Sequence, residues 1–147
     1  MTDSSITLRK ADAADADRVE ALLKANGLPH SDVRLESGRF FVASADAAVV
    51  GIGGVETYGS NGLLRSVVVP ESKRGRGYGT SLCDALEDRA QANGVETLYL
   101  LTTTAAAFFR RRGYEEVERE RVPASIRQTT EFADLCPSSA TCMRKEL

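Results

Sequence analysis

The segment Arg74-Gly75-Arg76-Gly77-Tyr78-Gly79 constrains this chain most. It follows the apolar run Val67-Val68-Val69, which ends at Pro70, and precedes a helical pattern from about Gly77 to Asn93. Glycine lets a backbone turn sharply and lets a ligand approach the amides closely. The first turn of the helix presents unpaired N–H groups, and the helix dipole places about half a positive charge there. Together the amides of Gly75, Gly77, Tyr78, Gly79 and Thr80 form a phosphate cradle, to which Arg74 and Arg76 add charge-assisted hydrogen bonds. The alternative is a glycine-rich turn with solvated arginines.

Other phosphate motifs do not fit. No Gly-Lys-Ser/Thr follows, so this is not a Walker loop. The glycine spacing differs from the dinucleotide fingerprint, and three antiparallel strands stand where that fold needs a strand–helix unit. Those strands are read from Arg39–Ser44, Ala48–Tyr58 and Leu63–Val69, with a turn at Ala45-Asp46 and a hairpin at Gly59-Ser60-Asn61-Gly62. A first strand covers Ile6–Lys10, and a helix starts at Asp12 or Asp15 and stops at Gly27. After the loop helix come a buried strand at Thr97–Thr102, a short helix at Ala105–Arg112 and a strand at Tyr114–Glu120. Pro123–Leu135 holds one or two helical turns, and Ala140–Lys145 reads as a last strand. The class is α/β: a mixed, mostly antiparallel sheet of about six to seven strands with helices on both faces. Residues 1–147 read as a single domain.

The formal net charge is -2 and the sequence pI about 5.5, which speaks against wholesale nucleic-acid binding. The basic residues are grouped, at Lys73, Arg74 and Arg76 and again at Arg110, Arg111 and Arg112, which suits a small anionic ligand. No apolar run approaches the roughly 18 residues that span a bilayer, and no signal leader is read, so a cytoplasmic protein without a membrane partner is expected. The three cysteines make no disulfide scaffold, and Cys136 and Cys142 make no zinc pattern, so no metal is expected.

Arg74, Gly77 and Gly79 fill the Arg-x-x-Gly-x-Gly pattern that, after a valine-rich strand, resembles the coenzyme A signature of the GNAT superfamily of N-acetyltransferases. Phe108-Phe109-Arg110-Arg111-Arg112-Gly113-Tyr114 resembles that family's second signature. The resemblance implies acetyl-CoA as cosubstrate and a sheet splayed open between Leu63–Val69 and Thr97–Thr102. It implies a pantetheine arm in that gap along Val67, Val68 and Val69, hydrogen-bonded to the backbone of Val67 and Val69, with Phe109 beside it. It also implies a bulge in the first of these strands, leaving an N–H free to polarise the thioester carbonyl. Leu98 to Tyr114 and Val122 to Met143 resemble, more narrowly, the arsenic-resistance N-acetyltransferase subfamily, which implies a small amino-acid acceptor or an arsenic- or phosphinate-bearing analogue.

Many relatives protonate the departing sulfur with a tyrosine where this chain has Phe109, which carries no hydroxyl. Glu56 and Tyr58 share one strand face, two residues apart. Glu56 is either the acceptor of the amine proton or a solvated strand-end carboxylate, and Tyr58, which ends the strand on the expected substrate side, is a substitute for the missing acid. Arg65 either meets an acceptor carboxylate or is a surface strand residue. Thr102, Thr103 and Thr104 sit at the mouth of the gap, where Thr103 is a candidate for the acceptor site and the group can also cap the next helix. Arg110 to Arg112 suit a solvated helix end. His30 reads as a loop histidine, and Cys136 and Cys142 as buried apolar residues or arsenic ligands. The expected activity is acetyl transfer to a small amine or amino acid. A coenzyme-A-binding sensor with little catalysis, and a protein-amine acetyltransferase, are the alternatives. Many such folds pair through sheet edges or C-terminal strands, so a homodimer is open to the chain.

Overall fold

The computed structural model describes residues 6–27, 39–103, 105–128 and 140–147. Seven strands form one sheet: β1 (Thr7–Lys10), β2 (Phe40–Ala45), β3 (Ala48–Tyr58), β4 (Asn61–Val68), β5 (Thr97–Thr102), β6 (Glu115–Glu116) and β7 (Thr141–Glu146). Their spatial order is β1-β2-β3-β4-β5-β7-β6. Every neighbouring pair is antiparallel except β4 and β5, which the crossover through α2 (Tyr78–Ala92) makes parallel. The mixed, mostly antiparallel sheet read from the sequence is present.

Helices cover both faces. On one, Leu82, Leu86 and Ala90 of α2 pack with Val55, Leu64, Leu98 and Leu100. The strand beneath is glycine-rich because α2 lies so close: a Cβ on Gly53 would stand 2.5 Å from Leu86 Cδ1. On the other face, Val19 and Leu23 of α1 (Ala16–Ala25) pack on Phe40, Val42, Ile52 and Val68. Further along that face, Val122 and Ile126 cover Leu63, Tyr99 and Cys142; Ile126 belongs to the single turn α4 (Ala124–Arg127).

Both aspartates expected to start α1 are used. Asp12 Oδ1 accepts from the Ala14 amide, and Asp15 accepts from the Asp12 amide, a reciprocal cap. Asp15 is also gripped by both terminal nitrogens of Arg9 at 2.8 Å.

Some bounds differ from the sequence reading. Tyr58 pairs with Asn61, so the hairpin has a two-residue turn and β4 begins two residues early. The β2–β3 turn falls on Asp46 and Ala47, both at positive φ, as a two-residue hairpin requires. The strand expected over Tyr114–Glu120 shrinks to Glu115–Glu116. Tyr114 is drawn into the core, and beyond Val117, which still donates to Cys142, the chain turns at Arg119–Arg121. His30, Thr104, Cys136 and most of the expected helical segment before Leu135 lie outside the described residues.

Two irregularities of β4 create the opening in the sheet. It pairs with β5 only over Asn61–Leu63 against Thr97–Tyr99, after which the two strands part. Across β3, Ile52 pairs with Val68 but Gly54 with Arg65, so Gly53 faces both Ser66 and Val67. That is the expected bulge. Ser66 holds φ at +58°, a left-handed conformation rare for a residue with a side chain.

Candidate active site

Where β4 and β5 part, a cleft of about 620 Å3 runs from the bulge to the start of α2. Val67 to Val69, the loop residues Arg74, Gly75 and Gly77, the first α2 residues Tyr78 to Thr80, and Phe109 all line it. Gly75 and Gly77 hold φ at +79° and +82°, which a side chain would disfavour. Gly77 precedes α2 without any side-chain cap, so the helix start is left for a ligand to satisfy. A Cβ on Gly79 would meet nothing closer than 3.8 Å, so the chain's own packing does not require glycine there. An anion drawn against the amides would. These features fit a coenzyme A pyrophosphate.

The two arginines of the loop part company. Arg74 Nε donates to the Val69 carbonyl at 2.9 Å, and its Nη2 donates to Asn26 Oδ1 at 2.6 Å. Asn26 in turn donates to the Leu22 carbonyl, so Arg74 braces the loop against the end of α1. Of the Val69 backbone, expected to serve the pantetheine arm, the carbonyl accepts this bond within the chain. Arg76 is exposed on the turn between two positive-φ glycines, beside the cleft rather than in its lining. Asn26 lines the cleft, yet in the sequence it shows only as the residue before a helix-stopping glycine.

Glu56, Tyr58 and Arg65 come together on the face opposite α2. Tyr58 Oη donates to Glu56 Oε1 at 2.5 Å, and Arg65 Nη1 donates to Glu56 Oε2 at 3.3 Å. Arg39 stands 3.9 Å from the same carboxylate. Arg65 also donates from Nε to Ser66 Oγ at 3.1 Å and lies over the Phe40 ring. The crowding is feasible because position 54 has no side chain: a Cβ there would meet the Phe40 ring at 2.9 Å. The Arg65 side chain is 1% exposed and that of Glu56 8%. Neither is the solvated strand residue that was one reading of each. Burial, with Glu56 as acceptor, raises the Tyr58 pKa, so its hydroxyl keeps its proton. Arg65 lines the cleft, and Glu56 and Tyr58 adjoin it on the same sheet face.

On the other wall, Thr102 Oγ1 accepts from the Ala105 amide at 3.0 Å, the capping role expected of a threonine there. Thr103 is exposed and lines the cleft. Phe109, in α3 (Ala106–Arg111), is 7% exposed and stacks edge-on with Phe108 and Tyr114. The three arginines after it are not a uniform solvated group. Arg110 is exposed and pairs with Glu116, whereas the Arg112 side chain is only 10% exposed and bonds Asp84 and Glu87. Glu87 of α2, buried, also accepts from Tyr114 Oη at 3.0 Å and Lys145 Nζ at 2.8 Å. A lone glutamate in an amphipathic helix gives no sequence signal of such a network. Cys142 is buried, as is Cys83, and burial raises their thiol pKa values to about 11 and about 12. Among the described residues, no cluster of His, Cys, Asp or Glu could hold a metal, and no helix is long and apolar enough to cross a membrane.

Residues 36–116 match the family model described as the acetyltransferase (GNAT) domain. Curated relatives include the amino-acid acetyltransferase of Pseudomonas fluorescens, 47% identical over 58 residues, which are 40% of this chain and 13% of the relative. That of Azotobacter vinelandii is 33% identical over 92 residues, 61% of this chain and 21% of the relative. The matches thus span only a minor part of those proteins. Among solved structures, N-acetylglutamate synthase from Neisseria gonorrhoeae, complexed with coenzyme A and N-acetyl-glutamate, superposes with a TM-score of 0.84 at 21% identity, over 99% of this chain and 36% of that one. A Mycobacterium tuberculosis protein in complex with CoA superposes at 0.77 with 23% identity, over 96% of this chain and 99% of its own. These likenesses describe the fold.

Proposed function

The chain belongs to the GNAT acetyltransferase domain family, and on that premise we propose that it is an acetyl-CoA-dependent N-acetyltransferase acting on the amine of a small amino acid. The observation that carries this reading is the uncapped start of α2 facing a cleft that opens where β4 and β5 part. When bound, acetyl-CoA supplies the activated acetyl thioester. The amides of Tyr78, Gly79 and Thr80 would hold its pyrophosphate, and Val67 to Val69 and Phe109, which line the cleft, would flank its arm. Phe109 offers no proton, so the sulfur departs as its anion; an ordinary thiol, with a pKa near 8.5, is a tolerable leaving group in that form.

An amine attacks in its neutral form, so the acceptor's ammonium first gives one proton to water, and the nitrogen sheds a second as the amide forms. We assign that proton to the Glu56–Tyr58 pair: the Tyr58 oxygen receives it as the hydroxyl passes its own proton to Glu56. Arg65, enclosed and bonded to Glu56 and Ser66, serves this pair by position, and Thr103, exposed at the mouth, is the residue placed to touch the acceptor. The amino-acid class rests on the names of the curated relatives. Analogues bearing arsenic or phosphinate belong to the same class by the resemblance of the second half of the chain.

The test is twofold. Calorimetry with CoA checks the cleft. Mass spectrometry then follows acetyl transfer from acetyl-CoA to the twenty protein amino acids and to glutamate analogues bearing arsenic or phosphinate. CoA binding with no acetylated product would favour the second reading that Phe109 supports, a CoA-binding module without efficient chemistry. No CoA binding would defeat both.

A further inference from the structure

We propose that Ser66 is a catalytic residue whose hydroxyl donates a hydrogen bond to the coenzyme A sulfur, the service that Phe109 cannot give. This rests on the reading of the cleft as an acetyl-CoA site. Three observations carry it. First, Ser66 stands at the reactive end. The phosphate cradle lies at the start of α2, and the arm between them follows β4 back to where it leaves β5; Ser66 lies in the bulge just past that vertex and lines the cleft.

Second, its hydroxyl is polarised. Arg65 Nε donates to Ser66 Oγ at 3.1 Å, using the oxygen as acceptor. Ser66 is 6% exposed and lines the cleft, so its own proton can be turned to a group held there. A cationic donor on the oxygen makes the O–H a stronger donor in turn. Thr102, the other enclosed hydroxyl on the cleft wall, accepts only from a neutral amide.

Third, the chain holds the serine in a costly backbone. Its φ of +58° is the conformation in which glycine replaces other residues at little cost, yet a serine stands there. Arg65 is fixed by Glu56, and Glu56 by Tyr58, so a buried chain of hydrogen bonds ends on this one hydroxyl. Such over-determination of a strained residue marks a working position. In the reaction, the C–S bond breaks, its electron pair goes to sulfur, and the Ser66 O–H stabilises that charge without giving up its proton. The proton lost by the amine goes to the Glu56–Tyr58 pair.

The test reads the sulfur directly and needs no acceptor. The thiol of CoA bound to the protein is titrated by its thiolate ultraviolet absorbance, in the wild type and in Ser66→Gly. Glycine suits the positive φ but leaves the buried Arg65 Nε without its acceptor, two effects of opposite sign, so the variant keeps the bulge, a melting temperature within a few degrees of that of the wild type, and CoA affinity within about twofold. Removing one hydrogen bond to a thiolate should raise the bound thiol pKa by about one unit and lower kcat about tenfold to a hundredfold with the acetyl-CoA KM little changed. Ser66→Asn, which tolerates the left-handed backbone and restores a donor, should recover part of the shift. An unshifted thiol in Ser66→Gly overturns the assignment while leaving the cleft reading intact. So does a more than tenfold loss of CoA affinity, which would make the serine a structural part of the bulge. So does a shift seen with Thr102→Val in its place. A wild-type chain that binds no CoA removes the cleft reading and the serine's role together.

Discussion

Removing Glu87 should destabilise the protein more than any exposed charge change on α2. Its carboxylate holds three groups from elsewhere in the chain: Arg112 at 3.0 Å, Lys145 at 2.8 Å and the Tyr114 hydroxyl at 3.0 Å. Its side chain is 11% exposed and that of Arg112 10%. Deleting one partner of a buried ion pair costs about 3–5 kcal/mol, because the other charge stays buried. Two features pull the figure to the lower end. Arg112 keeps Asp84 at 2.7 Å, and Lys145, 24% exposed, can turn to water. The Tyr114 hydroxyl has no such escape, and an orphaned buried donor costs about 1–3 kcal/mol. Glu87→Ala should therefore lose about 3 kcal/mol, which for a chain of this length lowers the melting temperature by about 10 °C.

Calorimetry and urea titration measure this, with Asp84→Ala as the comparison. Asp84 touches the same arginine, but its side chain is 62% exposed, so its loss should cost about 1 kcal/mol or less. A cycle with Tyr114→Phe isolates the orphaned hydroxyl. The phenylalanine should destabilise the wild type by about 1 kcal/mol and be neutral or stabilising beside Glu87→Ala. Equal melting temperatures for Glu87→Ala and Asp84→Ala, or strictly additive effects with Tyr114→Phe, would refute the reasoning.

Three further outcomes are expected. Arg74→Ala should weaken CoA binding about tenfold and Asn26→Ala about threefold, since the second leaves the Val69 contact in place; calorimetry decides, and equal losses would show that Asn26 acts by another route. Asp15 is held at a pKa of about 2, chiefly by the Arg9 hydrogen bonds, below the unfolded value of 3.8. Its contribution is therefore complete above about pH 4, declines as the pH falls through about 2 and is gone below that, so Asp15→Asn should cost about 1 kcal/mol at neutral pH and only a small part of that near pH 2 by urea titration. Cys83 and Cys142, buried with raised pKa values, should escape a thiol reagent at pH 8 in the folded protein and react on unfolding, as peptide mass spectrometry would show.

The order of elements and the phosphate loop were legible because each has a local cause. Alternating strands, the Gly59-Ser60 turn and the glycines around Tyr78 write their geometry into neighbouring residues. Even the bulge and the parting of β4 from β5 were expected, through the resemblance of Arg74 to Gly79 and Phe108 to Tyr114 to two known signatures. What was not legible is what depends on residues far apart in sequence. Arg74 and Asn26 are 48 positions apart, and Glu87 and Lys145 are 58. No local pattern says that an arginine in a phosphate loop will spend its donors on a carbonyl and an asparagine, or that Arg112 will be drawn inward while Arg110 stays in solvent.

The same distinction explains how the site divides. The cofactor side is mostly backbone: amides at the start of α2, positive-φ glycines, and a bulge. Backbone geometry follows from local sequence, which is why that half has a sequence signature, with the exposed Arg76 on the turn between its positive-φ glycines. The reacting side is made of side chains on β3 and β4 whose partners are set by register. Gly54 opposite Arg65 leaves room for the guanidinium, and Glu56 two pairs along, on the same face, meets it. A shift of one residue in that pairing would send Arg65 to the α2 face and leave Glu56 without its cation. The bulge is what absorbs the extra residue, so that Arg65 and Val68 both stay on their face while Ser66 is turned to its left-handed conformation between them. The hairpin register thus aligns the ion pair, and the insertion that follows it in the same strand presents the hydroxyl, beside the point where β4 parts from β5.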